Sequence, residues 1–278
     1  MRQTKENMAT EFTYKDLAVI YEDNHVIVVV KPCNVPSQAD SSGDKDMLSI
    51  VKEYLVDKYD KEGDAYVGLI HRLDRPTGGV MVFAKTSKAA ARLSEEIKNG
   101  EFEKSYLCVT CGVPKQRNGQ LKHYLKKNQA KNIVQIVPQA TDGAKLALLD
   151  YSFLQELNGF SLFKIALHTG RSHQIRVQMA SLGLPLFGDS KYGALPATYR
   201  HNLGLWATQV GFIHPTTKEK MTFIVHPPKD EVPWRAFDIP RLLNVGIAAD
   251  PYGDLANFNV LQDKSNVLRK QENKPVKK

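Results

Sequence analysis

The chain has 278 residues, 42% of them hydrophobic, and 38 Lys and Arg against 30 Asp and Glu give it a net charge of +8. That composition can bury one large or two small domains and excludes a low-complexity disordered chain, while the basic balance favours a polyanionic partner without proving one. Three cysteines are too few for a disulfide framework, and no apolar run approaches the ~18 residues of a membrane span.

Residues 1–13 are polar, lack the apolar core of a signal peptide, and are expected to be flexible. Leu17 to Tyr21 and Val26 to Lys31 are β-branched runs joined by Glu22-Asp23-Asn24-His25, the pattern of a hairpin. Ser37 to Asp46 is small and polar, hence loop, and Leu48, Val51, Leu55 and Tyr59 then recur at helical spacing. Gly68 to Thr86 reads GLIHRLDRPTGGVMVFAKT. Its apolar lead-in, polar cluster (His71, Arg72, Asp74, Arg75), Pro76-Thr77-Gly78-Gly79 turn and apolar exit predict strand, loop, strand. A carboxylate at such a tip, with arginines on either side, is held charged and aimed into a cleft, so Asp74 is the candidate reacting group. Ser87 is expected to cap a helix with Ala90, Leu93 and Ile97 inward and Gly100 past its end.

Phe102 to Val113 and Ile133 to Val137 read as strands, with a basic stretch as their connection. From Lys104 to Thr141 there is no Asp or Glu, while Lys104, Lys115, Arg117, Lys122, Lys126, Lys127 and Lys131 all lie inside. With His123, Tyr124, Asn128 and Gln129 interleaved, the stretch suits phosphate tracking, against the plainer reading of a solvated lysine-rich loop. Cys108 and Cys111 form a CxxC, but in a strand they face opposite sides of the sheet, with no second pair to complete a metal site. Ala144 to Glu156 and Phe160 to His168 meet at Asn158-Gly159, a strong hairpin signal. Ser172 is expected to cap a helix with Ile175, Met179 and Leu182 inward and Arg171, Gln174 and Gln178 on a polar face. Pro185 to Gly193 is turn chemistry with Asp189 as loop organiser, and Leu205 to Ile213 and Met221 to Val225 are the last strands. Residues 241–278 read as a partly disordered extension, leaving 14–240 as the catalytic domain.

HRLDxxTxG, together with VVVKPCNVP (Val28 to Pro36), KSY (Lys104 to Tyr106) and TGRSHQIRVQMASLGLPLFGDSKYG (Thr169 to Gly193), resembles the RluA-type family of RNA pseudouridine synthases. The resemblance runs from about Leu17 to His226. It implies the pseudouridine synthase fold, an α+β fold on a long, mainly antiparallel mixed sheet with flanking helices and a basic central cleft. It implies Asp74 as catalytic aspartate, Tyr106 as the tyrosine that stacks on the target base, Arg176 as the arginine paired with Asp74, and Ile175 as the neighbouring wall. Arg72 matches the arginine that holds the flipped nucleotide, and His71, Lys104 and Arg171 complete the expected substrate-contacting set. Gly78 stands where many members have serine, Val30 replaces a common asparagine, Cys33 and Asn34 replace a glycine region, and Gln178 replaces a frequent histidine. None of these touches Asp74, Tyr106 or Arg176.

The expectation is an isomerase that converts specific uridines in structured RNA, rRNA or tRNA, to pseudouridine after base flipping. It is expected to need no cofactor or metal, to have no membrane partner, to lack an N-terminal S4 module, and to work as a cytoplasmic monomer. Two rivals are a non-catalytic RNA-binding or RNA-folding factor on the same scaffold and a nucleoside hydrolase, the latter disfavoured because hydrolysis of a glycosidic bond usually takes two carboxylates.

Overall fold

The structure, a computed structural model, describes residues 12–193, 201–243 and 261–262. In chain order its elements are β1 (Val19–Glu22), β2 (Val26–Lys31), α1 (Met47–Lys58), β3 (Gly68–Leu69), β4 (Gly78–Ala84), α2 (Ser87–Asn99), β5 (Glu103–Cys111) and β6 (Asn118–Asn128). There follow β7 (Ile133–Val137), β8 (Lys145–Leu157), β9 (Phe160–Leu167), α3 (Gln174–Ser181), β10 (Leu205–Ile213), β11 (Lys220–Ile224), α4 (Ile239–Leu242) and β12 (Leu261–Gln262). The strands form one sheet in the order β1-β2-β4-β10-β5-β9-β8-β6-β7, with β3 beside β4 and β11 linking β10 to β12. Among the described pairs only β4 and β10 run parallel, so the expected mainly antiparallel mixed sheet is what forms.

Side-chain alternation splits the core in two. Ile27, Val29, Met81, Phe83, Cys108 and Phe163 point to the face covered by α1 and α3. Val26, Val28, Val80, Val82, Leu107 and Trp206 point to the face covered by Leu93 of α2 and by Trp234, Phe237 and Ile239. With both faces covered, every residue of β2 and β4 is buried, which is why these strands are continuous apolar runs. Burying so much apolar surface is the main stabilising term, at roughly 25 cal/mol per Å².

Where β4 meets β10 the backbones approach so closely that side chains are excluded. A Cβ on Gly79, whose φ is +125°, would lie 2.2 Å from Ala207 O, and one on Gly78 would lie 2.3 Å from the Trp206 ring. Any side chain at position 78 is therefore incompatible with this placement of Trp206.

The hairpin of β1 and β2 forms as expected, and Asn158 and Gly159 turn β8 into β9 with φ of 53° and 80°. Cys108 and Cys111 face opposite sides. Three readings need correction. The basic stretch is not a mere connection, because β6 runs through it and pairs with both β7 and β8. α2 is capped by Thr86, whose side chain accepts from Ala89 N, rather than by Ser87. On α3, Gln174 and Gln178 are buried, Leu182 is exposed, and Arg171 precedes the helix. The two end regions, 1–13 and 241–278, lie largely outside the described residues, and among the described residues no helix is long and apolar enough to cross a membrane.

Candidate active site

The loop between β3 and β4 is fixed from behind, residue by residue. Leu73 N donates to buried Ser37 Oγ at 3.1 Å, and the Ser37 hydroxyl donates back to Leu73 O at 2.8 Å. Two residues on, Arg75 O accepts from Lys31 Nζ at 3.0 Å and from Asn34 N at 2.8 Å, and Thr77 N closes the turn onto Asp74 O. Lys31 is wholly buried, and burial pulls its ammonium down to about 7. Asp74 is held between these two anchored residues, with its side chain 28% exposed to the cleft.

α3 supplies the opposite wall, and its entry is unusual. His173 occupies the left-handed region at φ 50° with no side-chain cap, and Ser172 does not cap the helix. Gln174 instead ties the helix start to the loop before it and to β8: its Oε1 accepts from Arg171 N and the Thr169 hydroxyl, and its Nε2 donates to Leu148 O. Ile175 and Arg176 are then carried inward, each 4% exposed.

Arg176 is gripped by a residue read from sequence only as a loop organiser. Its Nε and Nη2 donate to Asp189 at 2.8 and 2.6 Å, leaving Nη1 3.8 Å from Asp74 Oδ2. Asp189 also accepts from Lys191 N and Tyr192 N, so the loop-organising role holds as well. Burial would lift the Asp189 carboxyl, but Arg176 and these N–H groups hold it below the usual carboxylate range. The Tyr192 ring lies 5.3 Å from the guanidinium carbon, and its hydroxyl contacts His173 Nδ1 at 2.9 Å and accepts from Val134 N at 2.7 Å. Sequence separation hid this set, because nothing local to Asp189 or Tyr192 marks Arg176 as a partner.

Tyr106 rises from β5 on the floor. Burial, and the nearby Asp74 charge, push its phenol far above its ordinary value, so it stays protonated at neutral pH. The sequence placed arginines on both sides of Asp74 as its partners. Arg75 instead turns away to Asp40, Asp44 and the Ser42 hydroxyl, and Arg72 is exposed at the rim. His71 faces inward: Val82 N donates to its Nε2, and its ring packs 5.4 Å from Phe102.

Asp74, Tyr106, Arg176, Ile175, Arg72, His71, Lys104 and Arg171 all line one cleft of about 1140 Å³. That exceeds the roughly 300–1,000 Å³ of small-molecule pockets, so the cleft has room for more than one nucleotide. A hollow of about 480 Å³ beside Asn34, Asn202 and Glu231 holds none of these residues. Among the described residues no group of three or more His, Cys, Asp or Glu could hold a metal ion.

A sheet of this order has a counterpart in solved structures. Human RNA Pseudouridylate Synthase Domain Containing 4 superposes with a TM-score of 0.65 at 20% identity, over 83% of this chain and 94% of that one. The architecture is thus that of the pseudouridine synthases. The sequence profile described as RNA pseudouridylate synthase matches residues 25–181, which include Asp74, Tyr106 and Arg176. An uncharacterized RNA pseudouridine synthase from Aquifex aeolicus is 33% identical over 76% of this chain and 69% of its own length. Ribosomal large subunit pseudouridine synthase C from Rickettsia bellii is 35% identical over 63% of this chain, which spans 56% of that relative. The chain belongs to the RNA pseudouridylate synthase family, and is an isomerase that acts on RNA.

Proposed function

We propose that the chain isomerises specific uridines in structured RNA, with rRNA as the first substrate to test. The Rickettsia bellii relative is named for the ribosomal large subunit, and this chain's cleft carries basic side chains suited to a phosphate backbone. The reaction exchanges one bond for another. The uracil N1–C1′ bond breaks, the base turns, C5 bonds to C1′, the C5 proton leaves and N1 takes up a proton. No water is consumed, which fits a site with Asp74 as its reacting carboxylate: Asp40, also on the cleft wall, lies 3.7 Å from Arg75, and Asp189 is committed to Arg176.

The target base is extruded from its stack to reach Asp74. Tyr106 carries the base as a protonated phenol, and Ile175 walls the pocket. Arg72, exposed at the rim, reaches the space that the base vacates. Asp74 acts at the ribose, either as nucleophile at C1′ or as the base that takes the 2′ proton. Arg176 is the group that orients it, closing from 3.8 Å to a charge-assisted hydrogen bond when substrate excludes water. The observation that carries the reading is this Asp74–Arg176 approach with Arg176 locked by Asp189.

The test is tritium release from C5-labelled uridine in rRNA and tRNA from cells lacking the gene. Wild type releases label, and Asp74→Asn loses on the order of 10³-fold in rate. Free uracil as product, or equal release by Asp74→Asn, would overturn the reading.

A further inference from the structure

Lys104 is the one half-buried cation of the cleft that β5 directs to the same side as Tyr106, and among the described residues it has neither a hydrogen bond nor an ion pair. Burial, and then the like charge of Arg171, hold its pKa below the ordinary value; no carboxylate acts in the other direction. Arg171 spends only Nε, on Leu146 O at 2.9 Å, which leaves both terminal nitrogens uncommitted. Asp150, on β8 one strand beyond β9, is engaged by His168 at 2.6 Å and by Gln120 at 2.9 Å. Two cations are therefore held facing each other without an anion between them, an arrangement that costs stability in the free protein.

Gly170, the residue before Arg171, brings the backbone up to Lys104: a Cβ there would stand 3.6 Å from Lys104 Nζ, at ordinary contact distance. Lys104 and Tyr106 are two residues apart on one strand face, about 7 Å. That span matches one nucleotide, from the sugar whose base packs on Tyr106 to its flanking phosphate.

We propose that Lys104 and Arg171 form a seat for the phosphodiester that flanks the target uridine. The seat fixes the nucleotide's backbone so that flipping delivers its C1′ to Asp74. This rests on the proposed function, since it takes the base on Tyr106 as the reference point.

The experiment compares wild type with Lys104→Met, Lys104→Arg and Arg171→Met. It measures binding of total rRNA across a salt series, tritium release, and thermal unfolding of the free protein. Each Met variant flattens the slope of log K against log salt by about 0.7–0.9, the loss of one phosphate contact. KM rises about tenfold, more than kcat falls, and Lys104→Arg restores most of the slope. Lys104→Met also melts a few degrees higher than wild type when free, because the repulsion is gone, whereas a structural lysine would melt lower. An unchanged slope with a fall in kcat alone would overturn the seat, as would a lower melting temperature with normal binding. Inorganic phosphate that displaces rRNA as well from Lys104→Met as from wild type would also overturn it. If wild type releases no label yet the slopes still differ, the proposed reaction fails while the phosphate seat stands.

Discussion

Asp189 decides which way Arg176 points, since both of its oxygens are spent on that guanidinium and two backbone N–H groups. Asp189→Asn keeps the shape but removes a fully buried charge, leaving Arg176 without its full partner. We predict a loss of roughly 3–5 kcal/mol in stability. Turnover should fall about 10²-fold, more than any change in RNA affinity. Thermal unfolding and tritium release on the folded fraction check both, and a folded variant with wild-type turnover would remove Asp189 from the catalytic geometry. Because the folded Asp189 pKa lies below its ordinary 3.8, the contribution is present above that value and is lost only as pH falls through the folded one. His71 titrates in a different window. Its Nδ1 is shut off from solvent without a partner, although the residue as a whole is partly exposed, and burial lowers its pKa from 6.5 to about 3. Stability from this group is therefore full above 6.5 and is lost as pH falls from 6.5 to about 3, at up to about 1.4 kcal/mol per pH unit. His71→Gln should flatten that limb by close to one proton in denaturation curves between pH 6.5 and 5, where carboxylates contribute little. An unchanged slope would mean that His71 is charged in the fold.

β6 shows what an element reveals only in its pairing. Its sequence, NGQLKHYLKKN, carries too few apolar residues to announce a strand, and the run of lysines reads as solvent-exposed chain. Between β7 and β8, alternation becomes functional: Leu121 and Leu125 are buried, Lys122 and Lys126 are exposed, and Lys127, in register with the leucines, lines the cleft. The strands and loops of the central motif were legible because their apolar runs and turn residues are local signals. The grip on α3 was not, because it depends on partners far along the chain, such as Gln178 Nε2 donating to Leu121 O. Tyr192 is the clearest case, tying the edge strand β7 to Arg176 through Val134 N and its own ring. Tyr192→Phe keeps the ring under the guanidinium and strands the buried Val134 N–H. The expected cost is about 1–3 kcal/mol of stability, with faster amide exchange confined to β6 and β7 and a several-fold drop in kcat. Uniform exchange across the sheet, or no kinetic effect, would separate the basic hairpin from the active site.

Across the whole molecule, the sheet places the HRLD loop, β5 and the basic hairpin around a single opening, so basic side chains far apart in sequence meet in one cleft. Lys98 at the end of α2 and Lys191 beyond α3 are both on its walls, with Arg72, Lys104, Lys127 and Arg171 among the others. The basic balance is thus partly gathered at this cleft. A lone nucleotide can occupy only a fraction of about 1140 Å³ and can engage only a few of those cations at once. Binding energy from the rest must come from neighbouring nucleotides, and that energy is available to offset unstacking and to press Arg176 toward Asp74. Uridine and UMP should therefore be inert, and shortening an RNA fragment around a mapped target uridine should lower kcat as well as raise KM. Single-turnover pseudouridine formation on a nested set of fragments measures this directly. If a trinucleotide reacted at the rate of the full RNA, the distant cations would serve encounter alone, and the salt dependence of kcat/KM would then lie wholly in association.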